Sequence, residues 1–191
     1  MNRGLGVALL AAVLLAAVLL AGCSSAPPAG GFTGASTDVV GETYYPPSHR
    51  EAAPAISAAT LAGSHLALAD VLGRDVVVLN VWASWCIECR QESRGLARLS
   101  TALRGQGVRF VGIDEQDAAS SARAFAANAR TRYPQLVDPD GALLAELTLL
   151  PSSGIPSTLV IDRQGRVAGR IIGAADEPRL RRLIERVAAD R

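Results

Sequence analysis

The chain contains no lysine: all nineteen of its basic residues are arginine. Schiff-base chemistry on a lysine is therefore excluded. Histidine is almost as scarce, with His49 and His65 the only two and none after them. Aromatic residues make up 4% of the chain, and alanine is abundant, which suggests helices packed with small side chains. Charge of either sign is not in excess. The net charge of +1 gives no electrostatic case for nucleic acid or for an acidic partner surface. There are no internal repeats, and 191 residues suffice for one ordinary domain plus a leader.

Of the three cysteines, two stand three residues apart in Trp85-Cys86-Ile87-Glu88-Cys89, directly after the apolar β-forming run Val76–Trp82. Thiols at i and i+3 on the first turn of a helix can close a disulfide and reopen it. The helix N-terminus favours a thiolate on the first of them. A zinc site would need two further ligands, and only His49 and His65 are on offer. Covalent haem attachment is excluded because Arg90 stands where the C-x-x-C-H signature needs histidine. A copper site of the wider-spaced Sco-like kind would need a downstream histidine that this chain lacks. No metal or cofactor is expected. A purely structural disulfide stays open as an alternative.

The N-terminus reads as a targeting segment. Arg3 supplies a positive start, and Leu5–Leu20 contains only Gly, Ala, Val and Leu. The run ends in Leu20-Ala21-Gly22-Cys23, which resembles the bacterial lipobox. That resemblance implies cleavage after residue 22 and a lipid on Cys23. The alternative is an uncleaved membrane anchor, since the run is nearly long enough to span a bilayer. Either way the rest of the chain lies outside the cytoplasm, tethered to a membrane. Assigning Cys23 to lipid leaves Cys86 and Cys89 as a pair, which an oxidising compartment favours as a disulfide.

Residues 23–53, rich in Ala, Pro, Gly, Ser and Thr, read as the lipidated cysteine and an extended linker. The folded domain is expected over 54–191. Within it, Ile56–Leu61 and Ser64–Leu68 read as two short strands, and Val76–Trp82 as a strand buried on both faces. Cys86–Leu103 reads as a helix and Val108–Ile113 as a second buried strand. Ala118–Thr131 and Gly141–Leu147 read as helices. Ser157–Ile161 and Arg166–Ile171 form a hairpin about Asp162–Gly165, and Glu177–Ala189 a closing helix. This order predicts an α/β sandwich with a mixed central sheet. A C-x-x-C at the end of its first long strand points to the thioredoxin-like fold.

The segment Leu79–Glu92 resembles the active-site stretch of membrane-tethered, extracytoplasmic thioredoxin-like proteins of the TlpA/ResA type. Gly154-Ile155-Pro156-Ser157-Thr158 resembles their cis-proline segment, and Pro54–Leu72 their N-terminal β-hairpin extension. The resemblance implies that Cys86 is the exposed nucleophile and Cys89 the resolving thiol. It implies that Pro156 is cis and faces the disulfide, with Ile155 contributing to substrate contact. Trp85 is expected to shield the sulfurs, and Trp82 to lie in the core.

Three departures matter. Asn80 stands where thioredoxin buries an aspartate, so the proton of Cys89 must go elsewhere. Glu92 falls where ResA-type proteins carry an active-site carboxylate. A partly buried glutamate could serve as the base, whereas a solvated one would be idle. Between the thiols, Ile87-Glu88 replaces the commoner residue-proline pair. Glu88 adds negative charge beside Cys86, which Arg90 partly offsets, and tilts the pair towards a reducing poise. The expected protein is a membrane-anchored thiol-disulfide oxidoreductase that reduces disulfides in exported proteins such as apocytochrome c. By resemblance, a CcdA/DsbD-type membrane protein donates the electrons. The alternatives are a disulfide-forming oxidant and a redox-idle binding lipoprotein.

Overall fold

The computed structural model describes residues 40–190. The lipobox, Cys23 and the leader lie outside the described residues. Among those described, no helix is long and apolar enough to cross a membrane.

The strands are β1 (Gly41–Tyr44), β2 (Ser57–Ala59), β3 (His65–Ala67), β4 (Val76–Trp82), β5 (Val108–Glu115), β6 (Gln135–Asp138), β7 (Ser157–Ile161) and β8 (Val167–Ile172). The helices are α1 (Ile87–Ala102), α2 (Ala119–Ala129), α3 (Ala142–Glu146) and α4 (Glu177–Ala189). Six strands form one sheet in the order β1-β8-β7-β4-β5-β6. β4, β5 and β6 run parallel, whereas β7, β8 and β1 add antiparallel pairings, so the sheet is mixed as expected. β2 and β3 pair separately as the hairpin extension, which the Leu61 N–H ties to the Gln135 carbonyl at 2.9 Å.

β4 is apolar throughout because both of its faces are covered. Val76 and Val78 pack with Leu96, Leu99 and Leu103 at α1 and with Leu180, Leu183 and Ile184 of α4. Val77, Leu79 and Val81 point the other way, onto Ile56, Leu68, Leu144 and Leu147. α4 starts where the Asp176 carboxylate accepts the Arg179 N–H at 2.8 Å, and it buries the expected stripe of Leu180, Leu183, Ile184 and Val187. In the β7–β8 hairpin, Asp162 Oδ1 accepts the N–H groups of Gln164 and Arg166, both at 2.9 Å, and Gly165 takes the left-handed φ of +74°.

Two strands lie where the sequence reading placed none. Among the described residues, sheet pairing already starts at Gly41, ahead of Pro54. β1 pairs antiparallel with β8 from Gly41↔Ile172 to Tyr44↔Gly169. Behind it the buried Arg50 guanidinium binds Asp162 at 3.0 Å and also Asp190. Burial alone would raise the Asp162 carboxyl, but donors from Arg166, Arg50 and Gln164 outweigh it and hold that group below the usual carboxylate range. Gly41–Tyr44, within the stretch read as linker, is therefore a docked edge strand. The second is β6, a strand of four residues between Pro134 and Pro139 that the apolar pattern did not reveal. It exists because β5 pairs with it from Gly112↔Gln135 to Glu115↔Asp138. Position 112 must be glycine there, since a Cβ would meet Gln135 Oε1 at 1.8 Å. That same oxygen accepts the Trp82 indole N–H at 2.7 Å.

Candidate active site

Strand β4 ends at Trp82 and the chain turns through Ala83–Trp85 into α1, with Cys86 as the N-cap. Cys86 and Cys89 are joined in a disulfide, and Cys86 Sγ accepts the Cys89 N–H at 3.1 Å. This is the position at which the free N–H groups and dipole of a helix stabilise a thiolate. Cys89 is 1% exposed and Cys86 5%. Cys86, expected as the exposed nucleophile, is thus buried together with Cys89 in the disulfide form. Both sulfurs share a cluster with Trp82, Ala83 and Ala122, on which Ile155 packs. The exposed surface belongs to the neighbours, Trp85 at 55% and Ile87 at 68%. Trp85 stands outward, its indole N–H donating to the Gln116 carbonyl at 3.2 Å.

The turn before the cysteines is pinned at one peptide group on each side of Ser84. The Ser84 N–H donates to Asp117 Oδ2 at 2.6 Å, and its carbonyl accepts Arg90 Nε and Nη2 at 3.0 and 2.7 Å. Sequence reasoning missed Asp117 altogether and gave Arg90 no part in holding the turn. The Ile155–Pro156 bond is cis. Pro156 is buried just ahead of β7, its carbonyl accepting the Gly173 N–H at 2.9 Å. Ile155 is half-buried against the cysteine cluster.

Glu92 lies one turn beyond Cys89 on the same face of α1. It is 5% exposed, so it is not a solvated surface residue. Oε1 accepts from Asn80 Nδ2 at 2.9 Å, and Oε2 accepts the Ala175 N–H at 2.6 Å. Burial pushes its pKa up to about 7, against the opposing pull of those two donors. Asn80 also donates to Thr158 Oγ1 at 3.1 Å, which ties β4 to β7. Asn80 is thus more than a lost acid: it donates to the buried carboxyl carried by α1.

A second buried carboxyl lies at the end of β5, beside Trp82 in the strand register. Asp114 is 1% exposed, and neither oxygen finds a hydrogen-bond donor. Burial first, then the carboxylates of Asp117 and Glu115, push its pKa up to about 7. No spacing in the sequence signals it.

A disulfide at a helix N-cap, against a cis-proline loop and above a mixed sheet, defines a thioredoxin-like thiol-disulfide exchange site. The chain belongs to the AhpC/TSA family, which it matches over residues 50–170. It is similar to the thiol-disulfide oxidoreductase ResA of Bacillus cereus, 24% identical over 135 residues, 71% of this chain and 76% of that one. It is also similar to the thiol:disulfide interchange protein DsbE of Pseudomonas aeruginosa, 34% identical over 110 residues, 57% of each chain. Among solved structures, a DsbF homologue from Corynebacterium diphtheriae superposes with a TM-score of 0.74 at 30% identity, covering 82% of this chain and 99% of that one. A secreted thiol-disulfide isomerase from Corynebacterium glutamicum gives 0.76 at 29%, covering 84% and 99%. The protein is a thiol-disulfide oxidoreductase.

Proposed function

We propose that this oxidoreductase works in the reducing direction on disulfides of exported proteins, apocytochrome c among them, from the outer face of a membrane to which a lipid on Cys23 tethers it. The observation that carries the reading is Glu92: a buried carboxyl, with a pKa of about 7, one helical turn from Cys89. Such a group can take a proton from the resolving thiol at neutral pH and return it in the reverse step.

In the reduced protein the Cys86 thiolate attacks a substrate disulfide and expels one substrate thiolate. A mixed disulfide on Cys86 results. Cys89 then passes its proton to Glu92 and attacks Cys86 Sγ. The second substrate thiolate leaves and the Cys86–Cys89 disulfide closes. The substrate has gained two electrons and the protein has lost two. A membrane dithiol donor of the CcdA/DsbD type returns them by the same exchange run backwards. Exposed Trp85 and Ile87, with half-buried Ile155 and cis Pro156, supply the apolar docking ground. Glu88, exposed in the first turn of α1, supports the reducing poise by opposing a thiolate on Cys86.

The test is a Cys89→Ala variant, in which the mixed disulfide cannot resolve. Substrate proteins are expected to accumulate covalently on Cys86, and the wild-type couple is expected to titrate with the reducing members of the fold. A potential as high as that of a disulfide-forming oxidant reverses the direction. A bridge that resists dithiol reductant, with nothing trapped, leaves only a structural disulfide in a binding lipoprotein.

A further inference from the structure

The net charge of +1 conceals an uneven surface. A trench runs between α1 and α2, formed by two cavities of about 540 and 1060 Å³ that share Arg94, Asn128 and Ala129. One end reaches Ser84, in the turn before the cysteines, and Arg90, just after them on α1; the other reaches Arg98 and Arg132. Five arginines line it (Arg90, Arg94, Arg98, Arg130 and Arg132), and no carboxylate does. Arg90 is committed to the Ser84 carbonyl, and Arg98 pairs with Glu177 at 3.0 Å. Arg94, Arg130 and Arg132 have no carboxylate within ion-pair distance among the described residues. Asp117, near the active-site end, has its oxygens occupied by the N–H groups of Ser84 and Ala118.

Two further features fit a bound chain. The walls between the arginines are made of small residues, Ala97, Ala102, Ala127 and Ala129, which let a backbone approach closely. Arg130 itself closes α2 in the left-handed conformation, φ +61°, where glycine is the usual residue. A side chain is kept there at a conformational cost, and it projects a cation at the trench. A bilayer is flat and would meet only the rims; a concave, alanine-walled trench suits a polypeptide. From Arg90 to Ala102 the helix spans roughly 18 Å, enough for an extended segment of about five residues.

We propose that this trench binds an acidic, extended segment flanking the disulfide of the protein substrate, and so selects substrates by charge. The inference rests on the thiol-disulfide exchange activity but not on its direction. It lies on the α1–α2 side of the cysteines, whereas Pro156 and Ile155 come from the loop before β7.

The experiment measures single-turnover exchange between the reduced full-length chain and two synthetic peptides. Each peptide carries one disulfide, followed by about five residues that are either Asp/Glu or Asn/Gln; at low ionic strength the acidic peptide is expected to react at least about tenfold faster. Salt should erase the difference. An Arg94→Gln/Arg130→Gly/Arg132→Gln variant should lose the preference while keeping the wild-type rate with the neutral peptide. Glycine at 130 accepts the left-handed backbone, so the fold is kept. Equal rates for the two peptides, or a preference that survives the triple variant, overturn the proposal. So does an equal loss of both rates in the variant. If the peptides react alike but vesicles of phosphatidylglycerol and phosphatidylcholine bind the wild type more tightly than the variant, the trench belongs to lipid headgroups and the proposal falls. Single-turnover exchange is read whichever way the potential points, so failure of the reducing assignment and failure of this inference remain distinguishable.

Discussion

Glu92 and Asp114 are both buried carboxyls on the helix-covered side of the sheet near the disulfide, and both are pushed up to a pKa of about 7. Their surroundings differ. Glu92 is desolvated but met by a donor on each oxygen, from Asn80 and Ala175. Asp114 is desolvated, has no donor on either oxygen, and faces the negative charge of Asp117 and Glu115. The same elevation therefore has two meanings. At Glu92 the ionised form has a prepared place, so the group can release and retake a proton near neutral pH. At Asp114 the ionised form has none, and the group is most stable with its proton on.

The largest expected difference is kinetic. Glu92→Gln should slow resolution of the mixed disulfide at pH 7 by about 10²-fold and remove a break near pH 7 from the rate profile. Asp114→Asn should leave the rate within about threefold and keep the break. Stopped-flow measurement of intermediate decay across pH decides it; the reverse ranking would exchange the two roles.

Stability supplies the next comparison. Both groups have folded pKa values raised above the unfolded ones, 4.5 for Glu92 and 3.8 for Asp114. The folded state thus binds more protons than the unfolded state between those values and about 7. The contribution of each group is fully present below its unfolded pKa and is lost as pH rises through the folded value. The oxidised protein should be less stable at pH 8 than at pH 5. Asp114→Asn should recover about 1–2 kcal/mol of that loss, because no N–H donor is held by the carboxylate for the amide to lose. Glu92→Gln should recover less, because an amide presents its NH₂ group to one of two existing donors. Urea denaturation of each variant at both pH values measures the split.

The smallest effect sharpens the first. Asn80→Ala removes a donor that favours ionised Glu92, so the rate break should move up, by less than about one pH unit. A downward move would mean that Asn80 does not hold Glu92 in the working enzyme.

What was readable along the chain was local. Val76–Trp82 announces a strand covered on both faces, and Leu96, Leu99 and Leu103 announce a helix face; both form as expected. The C-x-x-C at that junction announces its chemistry. β1 and β6 were invisible because each is four residues long and set among prolines and glycines. Such segments have no periodicity to display and are strands only because β8 and β5 pair with them. Arg50 looked like a linker charge and is buried against Asp162 and Asp190, 112 and 140 residues away.

The thiol spacing, the choice of arginine for every cation and the run of β-formers ahead of Cys86 are properties of the sequence alone. They determined that this protein could exchange disulfides at a helix N-terminus. The fold decided how its protons are held. Glu92 shares a helix with Cys89, but the donors that keep its carboxylate come from Asn80, 12 residues earlier on β4, and Ala175, 83 residues later before α4. The fold likewise decided that Arg94 and Arg130, 36 positions apart in the chain, face one trench. Desolvation and electrostatics depend on distance in space, and only packing sets that distance.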